Sequence, residues 1–444
     1  MRDLANRIRG ILKTPERPIS DHVEPGSVPT AGREESKRTR YDRASQIASV
    51  LGGEWQGEEG EWSFVVERRF SPSHVYGTSE IRAMATHLKE GGDAVELLVG
   101  RPVRPPFVFF DLETTGLSGG AGTRAFLVGC GWFAADGAFL VRQYFLAEVD
   151  REPAMLGGVA HQLSRSGVLV SFNGRSFDAP LLESRYLYHR QEWVGSDLPH
   201  LDMLPVARRF WGGPSGDEER RSCALPALER LLLGAGRNGD VPGGDIPSRY
   251  FQFLHTGDAR PLQGVFEHNR RDLLSLAGLT IRAIGAMQAD PEDIEDPREA
   301  LAAGRTYARS GHVERARRLF ERAIHLSGLA GDGQAMRDVR IGALRALALS
   351  LRRSRLYAEA AERWRQLLDV PGCGEYVQSE ASEALAIHHE HRIRDLESAQ
   401  IFALRSLTGR PGATHVRAAR RRLTRLQKKL ADSALDGSRT FAEM

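Results

Sequence analysis

Residues 107–122 read FVFFDLETTGLSGGAG: four consecutive apolar side chains, two carboxylates two residues apart, then a run rich in glycine. The apolar run predicts a buried strand. In a strand, residues i and i+2 project from one face, so Asp111 and Glu113 reach the same point where the strand ends. That is a geometry suited to holding a cation. An acidic turn needs only one of them and leaves the adjoining TTG without a reason. The glycine-rich loop can approach a substrate backbone closely, and serves equally well as a flexible hairpin connection.

Reading outward, RAFLVGCGWF and AFLVRQYFLA are two further strands, with Asp136-Gly137 as the hairpin turn between them. Three sequential antiparallel strands result. A helical EPAMLGGVAHQLSR leads into a fourth short strand, GVLVSFNG, and then into the helical DAPLLESRYLYHR. Residues 101–289 therefore form an α/β domain. Before it, residues 1–44 are rich in Pro, Arg, Glu and Ser and read as a mobile tail. Residues 45–100 hold a strand, WSFVVERRF, and a helix, SEIRAMATHLKE, which together make a small accessory extension.

At 444 residues the chain exceeds the size one core usually serves, so two or three domains are expected. With 41% hydrophobic and 27% charged residues, and no run of about 18 apolar residues, it is not a membrane protein. Arginines interrupt the apolar positions of the N-terminal MRDLANRIRGILKTP, which argues against a secretory signal and for a cytoplasmic protein. Cys130, Cys223 and Cys373 have no paired spacing and read as buried thiols.

After residue 290 the pattern becomes helical throughout. Asp296-Pro297-Arg298-Glu299 reads as a helix start, with an Asp cap, a Pro in the first turn and a Glu at the third position. YARSGHVERARRLFERAI and LRRSRLYAEAAERWRQLL align without gaps, Ala316 over Ala360 and Phe320 over Trp364; HRIRDLESAQIFALRSL adds a third copy with Ala399 at the small position. Over residues 295–431 these resemble tetratricopeptide-type helix-turn-helix repeats with a period longer than the usual one of about 34. The last helix carries Val416, Ala419, Leu423, Leu426 and Leu430 on one stripe and caps the stack, leaving 432–444 as a tail. Between residues 401 and 431 nine Arg or Lys stand with no Asp or Glu. Such a stretch suits a polyanion, or else a solvated helix face near a helix C-terminus.

Two other segments carry acids. VSFNGRSFDAP ends the fourth strand and sets Asp178 in the first turn of a helix, where alone it would be an ordinary cap. EHNRRDLLSL places His268 and Asp272 four apart on one helix face. In this order and on these elements, the segments resemble the DEDD superfamily of 3′-to-5′ exonucleases, which includes the proofreading domains of DNA polymerases. Asp111 and Glu113 match its first motif, Asp178 the second and Asp272 the last. The Asn-x-x-x-x-Asp-x-Pro form around Asp178 is similar to the family B polymerase version. With HLDMLPVARRFW, SCALPALERLLLG, DVPGGDIPSRYFQFL and HNRRDLLSLAGL included, roughly residues 45–430 resemble the bacterial YprB-type ribonuclease H-like proteins, which commonly carry tetratricopeptide-like repeats.

The resemblance implies a ribonuclease H-like domain, its sheet mixed with three antiparallel strands and then parallel ones, followed by an all-α repeat domain. It also implies a metal-dependent nuclease, a 3′–5′ exonuclease on single-stranded ends. Four converging carboxylates repel one another, and Mg²⁺ or Mn²⁺, two ions in such sites, relieves this. Asp111, Glu113, Asp178 and Asp272 are the expected ligands. The superfamily has Tyr three residues, or His four residues, clear of the last Asp; here His268 fills the tyrosine slot, where it can orient the attacking water or take its proton. Asp202, near a strand end in HLDMLP, is explained equally by a helix cap. Two alternatives stay open: an adaptor that binds nucleic acid or protein through its repeats without cutting, and a structure-specific endonuclease on the same fold. Expected partners are a single-stranded nucleic-acid end, DNA or RNA, and a protein held by the repeats.

Overall fold

The computed structural model describes residues 42–57, 62–116, 122–212, 223–331, 333–407 and 413–442. Most of the expected N-terminal tail and residues 117–121 of the glycine-rich loop lie outside them. The chain divides into two units, residues 1–47 and 48–444. The described part of the first, residues 42–47, is helical. The sheet and all the helices named below belong to the second.

Nine strands form among the described residues: β1 Glu54–Gln56, β2 Ser63–Phe70, β3 Val75–Tyr76, β4 Ser79–Glu80, β5 Phe107–Thr114, β6 Ala125–Phe133, β7 Phe139–Phe145, β8 Val168–Ser171 and β9 His200–Asp202. Seven make one sheet in the order β1-β2-β7-β6-β5-β8-β9, while β3 and β4 pair with each other as a small ribbon. β5, β6 and β7 are successive antiparallel neighbours, and β8 and β9 join in parallel. This is the mixed sheet the sequence implies. Gly137 closes the β6–β7 turn with φ +84°, a conformation that favours glycine. Residues 54–70 do not merely pack on the sheet: β2 hydrogen-bonds along β7 and, with β1, extends the sheet by two strands.

The helices that matter for the site are α1 Ile81–Glu90, α2 Gly92–Val99, α3 Glu152–Leu163, α4 Asp178–Tyr188, α5 Met203–Phe210, α6 Ile246–Thr256 and α7 Gln263–Gln288. α7 is the long one, and it lies against β5 and β6. Its buried side chains include Asn269, Leu273, Leu276 and Leu279. Phe107, Phe109 and Phe110 of β5 are all buried, as a strand covered on both faces requires.

Beyond residue 296 every described element is a helix: α8 Pro297–Arg309, α9 Val313–Leu329, α10 Gln334–Arg353, α11 Tyr357–Leu368, α12 Glu375–His388, α13 Leu396–Arg405 and α14 Ala413–Ala442. Ala316, Ala360 and Ala399 are buried on α9, α11 and α13, the second helices of successive pairs. Gly304 of α8 meets the Phe320 ring so closely that a Cβ there would lie 2.7 Å from it. Asp296 caps α8, accepting from the Arg298 amide at 2.7 Å. Glu299 does not turn back on that cap; its carboxylate accepts from Trp211 Nε1 at 2.9 Å and Arg282 Nε at 3.0 Å. One apolar core consequently runs from the sheet into α8 and α9.

At the far end, Ala419, Leu423 and Leu426 of α14 are buried as the stripe predicts. Residues 432–442, expected as tail, continue the same helix. The three cysteines are free and buried.

Candidate active site

β5 ends in Asp111 and Glu113, which share a face of the strand. A bulge between Glu113 and Thr114 ends the regular pairing with β6. Opposite Asp111 in the ladder stands Gly129, where a Cβ would lie 2.2 Å from Asn269 Oδ1. Only glycine lets α7 come this near the strand. Asn269 Nδ2 then donates to Asp111 Oδ2 at 2.9 Å, and Gln143 Nε2 donates to Asn269 Oδ1 at 2.8 Å. Asn269 and Gln143 are both fully buried.

Asp178 opens α4 without capping it: the helix has no side-chain cap bond. Its loop is shaped by Asp202, which both caps α5 through the Leu204 amide at 3.0 Å and accepts from the amides of Asn173 at 2.8 Å and Arg175 at 3.2 Å. Asn173 sits at φ +65°, which its side chain tolerates. Gly174 leaves room for Asp178 itself, since a Cβ there would lie 2.9 Å from Asp178 Oδ2.

His268 and Asp272 lie one turn apart on α7, with His268 Nε2 3.5 Å from Asp272 Oδ2. On its other side His268 Nδ1 donates to Asp240, 2.9 Å from Oδ1. All five expected residues, Asp111, Glu113, Asp178, His268 and Asp272, line one cavity of about 250 Å³.

Packing four acids here is costly. Burial first, then repulsion from Asp272 and Asp178, pushes Asp111 well above the usual carboxylate range; burial and then Asp111 do the same to Glu113. Asp178 is pushed up to about 7 by burial and then by Asp202. Burial also raises Asp272, against the pull of the Arg237 guanidinium. Four oxygen donors that resist ionisation together, with one imidazole nearby and no thiolate, fit a hard divalent cation. Among the described residues, no three acidic, histidine or cysteine side chains already stand around a single point at ligand distance. The guanidinium of Arg237 rests on Asp272.

Sequence reasoning missed Asn269, Gln143, Asp240 and Arg237. Asn269 had a signal, being next to His268 on a helix that must face the strand. Arg237 and Asp240 sit in an irregular segment, where periodicity says nothing about which side chains turn inward.

A model of the RNase_H superfamily matches residues 108–284. The chain is 29% identical over 273 residues to the uncharacterized protein YprB of Bacillus subtilis (strain 168), covering 61% of this chain and 64% of that protein. It thus spans just under two thirds of that relative's length. A family B DNA polymerase from the archaeon Pyrobaculum calidifontis matches with a TM-score of 0.34 and 13% identity, over 72% of this chain and 44% of the polymerase. Residues 108–284 thus carry a ribonuclease H-like domain, and the chain is similar to YprB over 61% of its length.

Proposed function

We propose that the protein is a metal-dependent nuclease that removes nucleotides from the 3′ end of single-stranded nucleic acid. The observation that carries this is the convergence of Asp111, Glu113, Asp178, His268 and Asp272 on one cavity from three separate stretches of chain. The carboxylate cluster of this cavity would hold Mg²⁺ or Mn²⁺. The chemistry bound cations supply there is Lewis-acid stabilisation of the attacking and leaving oxygens. Asp111 and Glu113 fix the strand side of the site, and Asp178 enters from the start of α4. His268, steadied through Nδ1 by Asp240, turns Nε2 toward Asp272 and orients the attacking water or takes its proton. Water attacks phosphorus, the bond from phosphorus to the 3′ oxygen breaks, and a nucleoside 5′-monophosphate leaves behind a new 3′ hydroxyl. The helical repeats, tetratricopeptide-like in this reading, hold a partner.

Degradation of 3′-labelled and 5′-labelled single-stranded DNA and RNA with Mn²⁺ or Mg²⁺ tests this, wild type against Asp111→Ala. Single nucleotides lost from the 3′ end, in wild type alone, are the expected result. Cleavage of a closed circle would instead make the enzyme an endonuclease. No cleavage by a folded protein would leave an adaptor.

A further inference from the structure

Arg237 sets a guanidinium directly against one acid of the four-carboxylate cavity. It pairs with Asp272, lies 2.6 Å from Glu229 Oε2 and reaches Asp240 Oδ2 at 3.2 Å. It is no surface side chain swung inward by chance. Arg237 is 7% exposed and Glu229 1%. Glu229 lies in a π-turn, Glu229–Leu233, that follows the short helix Leu225–Leu228. Its carboxylate is held in turn by Ser275 Oγ at 2.6 Å, and Ser275 lies 2.7 Å from the Tyr76 hydroxyl. A buried acid, itself held by a buried hydroxyl, thus fixes the guanidinium from behind.

The consequence falls on Asp272. One of its oxygens faces Arg237 and the other faces His268 Nε2 at 3.5 Å, so both are turned toward protein groups. A divalent ion bound to Asp272 would have to sit beside a guanidinium of the same sign, or expel it. Expelling it leaves Glu229 buried without its cation, an arrangement that strongly disfavours the folded state. Among the described residues, Asp111, Glu113 and Asp178 have no such cation paired to them. The amide of Asn269 engages one oxygen of Asp111 without adding positive charge.

Resting on the nuclease reading above, we infer that Arg237 takes the place of the second metal ion at Asp272, so that the chain binds one divalent cation, held by Asp111, Glu113 and Asp178. The guanidinium supplies fixed positive charge behind Asp272, which lines the cavity, while Arg237 itself stays buried against Glu229.

The test is Mn²⁺ stoichiometry, read by electron paramagnetic resonance and calorimetry on the full chain without nucleic acid. Wild type and Arg237→Lys are expected to bind one ion. Arg237→Met is expected to bind two. Because that change strands Glu229, the double variant Arg237→Met with Glu229→Gln removes both charges together and is expected to bind two as well. Asp111→Ala is expected to abolish the wild-type ion. Two ions of similar affinity in wild type, a count of one in both Met variants, or an ion that survives Asp111→Ala would each overturn the inference. Failure of wild type and every variant to bind Mn²⁺ would overturn the metal reading itself, and this inference with it.

Discussion

The side-chain amide of Asn269 donates to Asp111 Oδ2 at 2.9 Å, through a gap in the sheet that only Gly129 leaves open. The acid at the head of the site is therefore aimed by a helix that also carries His268 and Asp272.

Asn269→Ala strands one oxygen of Asp111 and one N–H of the Gln143 amide, whose other N–H stays on the Phe266 carbonyl, at a cost of about 1–3 kcal/mol for the buried groups left unpaired. Partners that orient a ligand are worth roughly 10- to 100-fold in metal affinity. Gly129→Ala forces the same contact apart by steric means and is expected to cost about 1–3 kcal/mol. Urea unfolding and Mn²⁺ titration check both; wild-type affinity in Asn269→Ala would show that Asp111 needs no such support.

Replacement of His268 separates catalysis from metal binding. Help from a positioned base is typically worth about 10²- to 10⁴-fold. His268→Ala should lower the single-turnover rate within that range and leave Mn²⁺ affinity near wild type, whereas Asp111→Ala removes both. Asp240→Asn, which weakens the hold on His268 Nδ1, should fall between wild type and His268→Ala. Loss of Mn²⁺ binding in His268→Ala would make the imidazole a ligand instead.

Asp178 gives the metal-free protein a definite pH response. Its pKa of about 7 stands above the unfolded value of about 3.9, so between those limits the folded chain holds more protons than the unfolded one. This group's contribution is thus full below about pH 4 and is lost as pH rises through about 7. Added Mn²⁺ should raise Tm more at about pH 8 than at about pH 5, because the ion needs the ionised carboxylate. Asp178→Asn should flatten that difference, and equal Mn²⁺ shifts at both pH values in wild type would contradict it.

Three basic side chains of the last helix gather on one buried acid, and Arg422 also reaches Glu383. Glu390, in the turn after α12, is fully buried and accepts from Arg425 Nη2 at 2.7 Å and Lys429 Nζ at 3.2 Å, with Arg422 Nε 3.5 Å away. Burial opposes ionisation, but these cations outweigh it and hold the carboxyl down to about 2. A depressed folded pKa gives stability that is full above the unfolded value of about 4.3 and lost as pH falls toward about 2. Glu390→Gln should cost about 1–2 kcal/mol at neutral pH, since Arg425 and Lys429 keep nearly half their surface in water. Calorimetry should show that penalty shrinking as the pH falls. Part of the basic run is thereby committed to structure; Arg420 and Arg421 remain exposed, and their charge reversal tests nucleic-acid binding with less risk to the fold than Arg422.

Strand and helix patterning were legible in the sequence because they depend on local period. The apolar run of β5, the Asp136-Gly137 turn and the Asp296 cap each follow from a few neighbouring residues. The shared faces of Asp111 with Glu113 and of His268 with Asp272 were legible for the same reason: i, i+2 on a strand and i, i+4 on a helix fix them. What only the tertiary structure decided is who meets whom across elements. Glu299 could have closed its own cap but reaches Trp211 and Arg282 instead. Asp202, explained in sequence by a cap, also shapes the loop that carries Asp178. Arg237 lies in an irregular segment, and Glu229 holds it against Asp272, a residue on a helix far along the chain. No local pattern encodes such pairings, because buried charges choose partners by three-dimensional proximity and not by spacing along the chain.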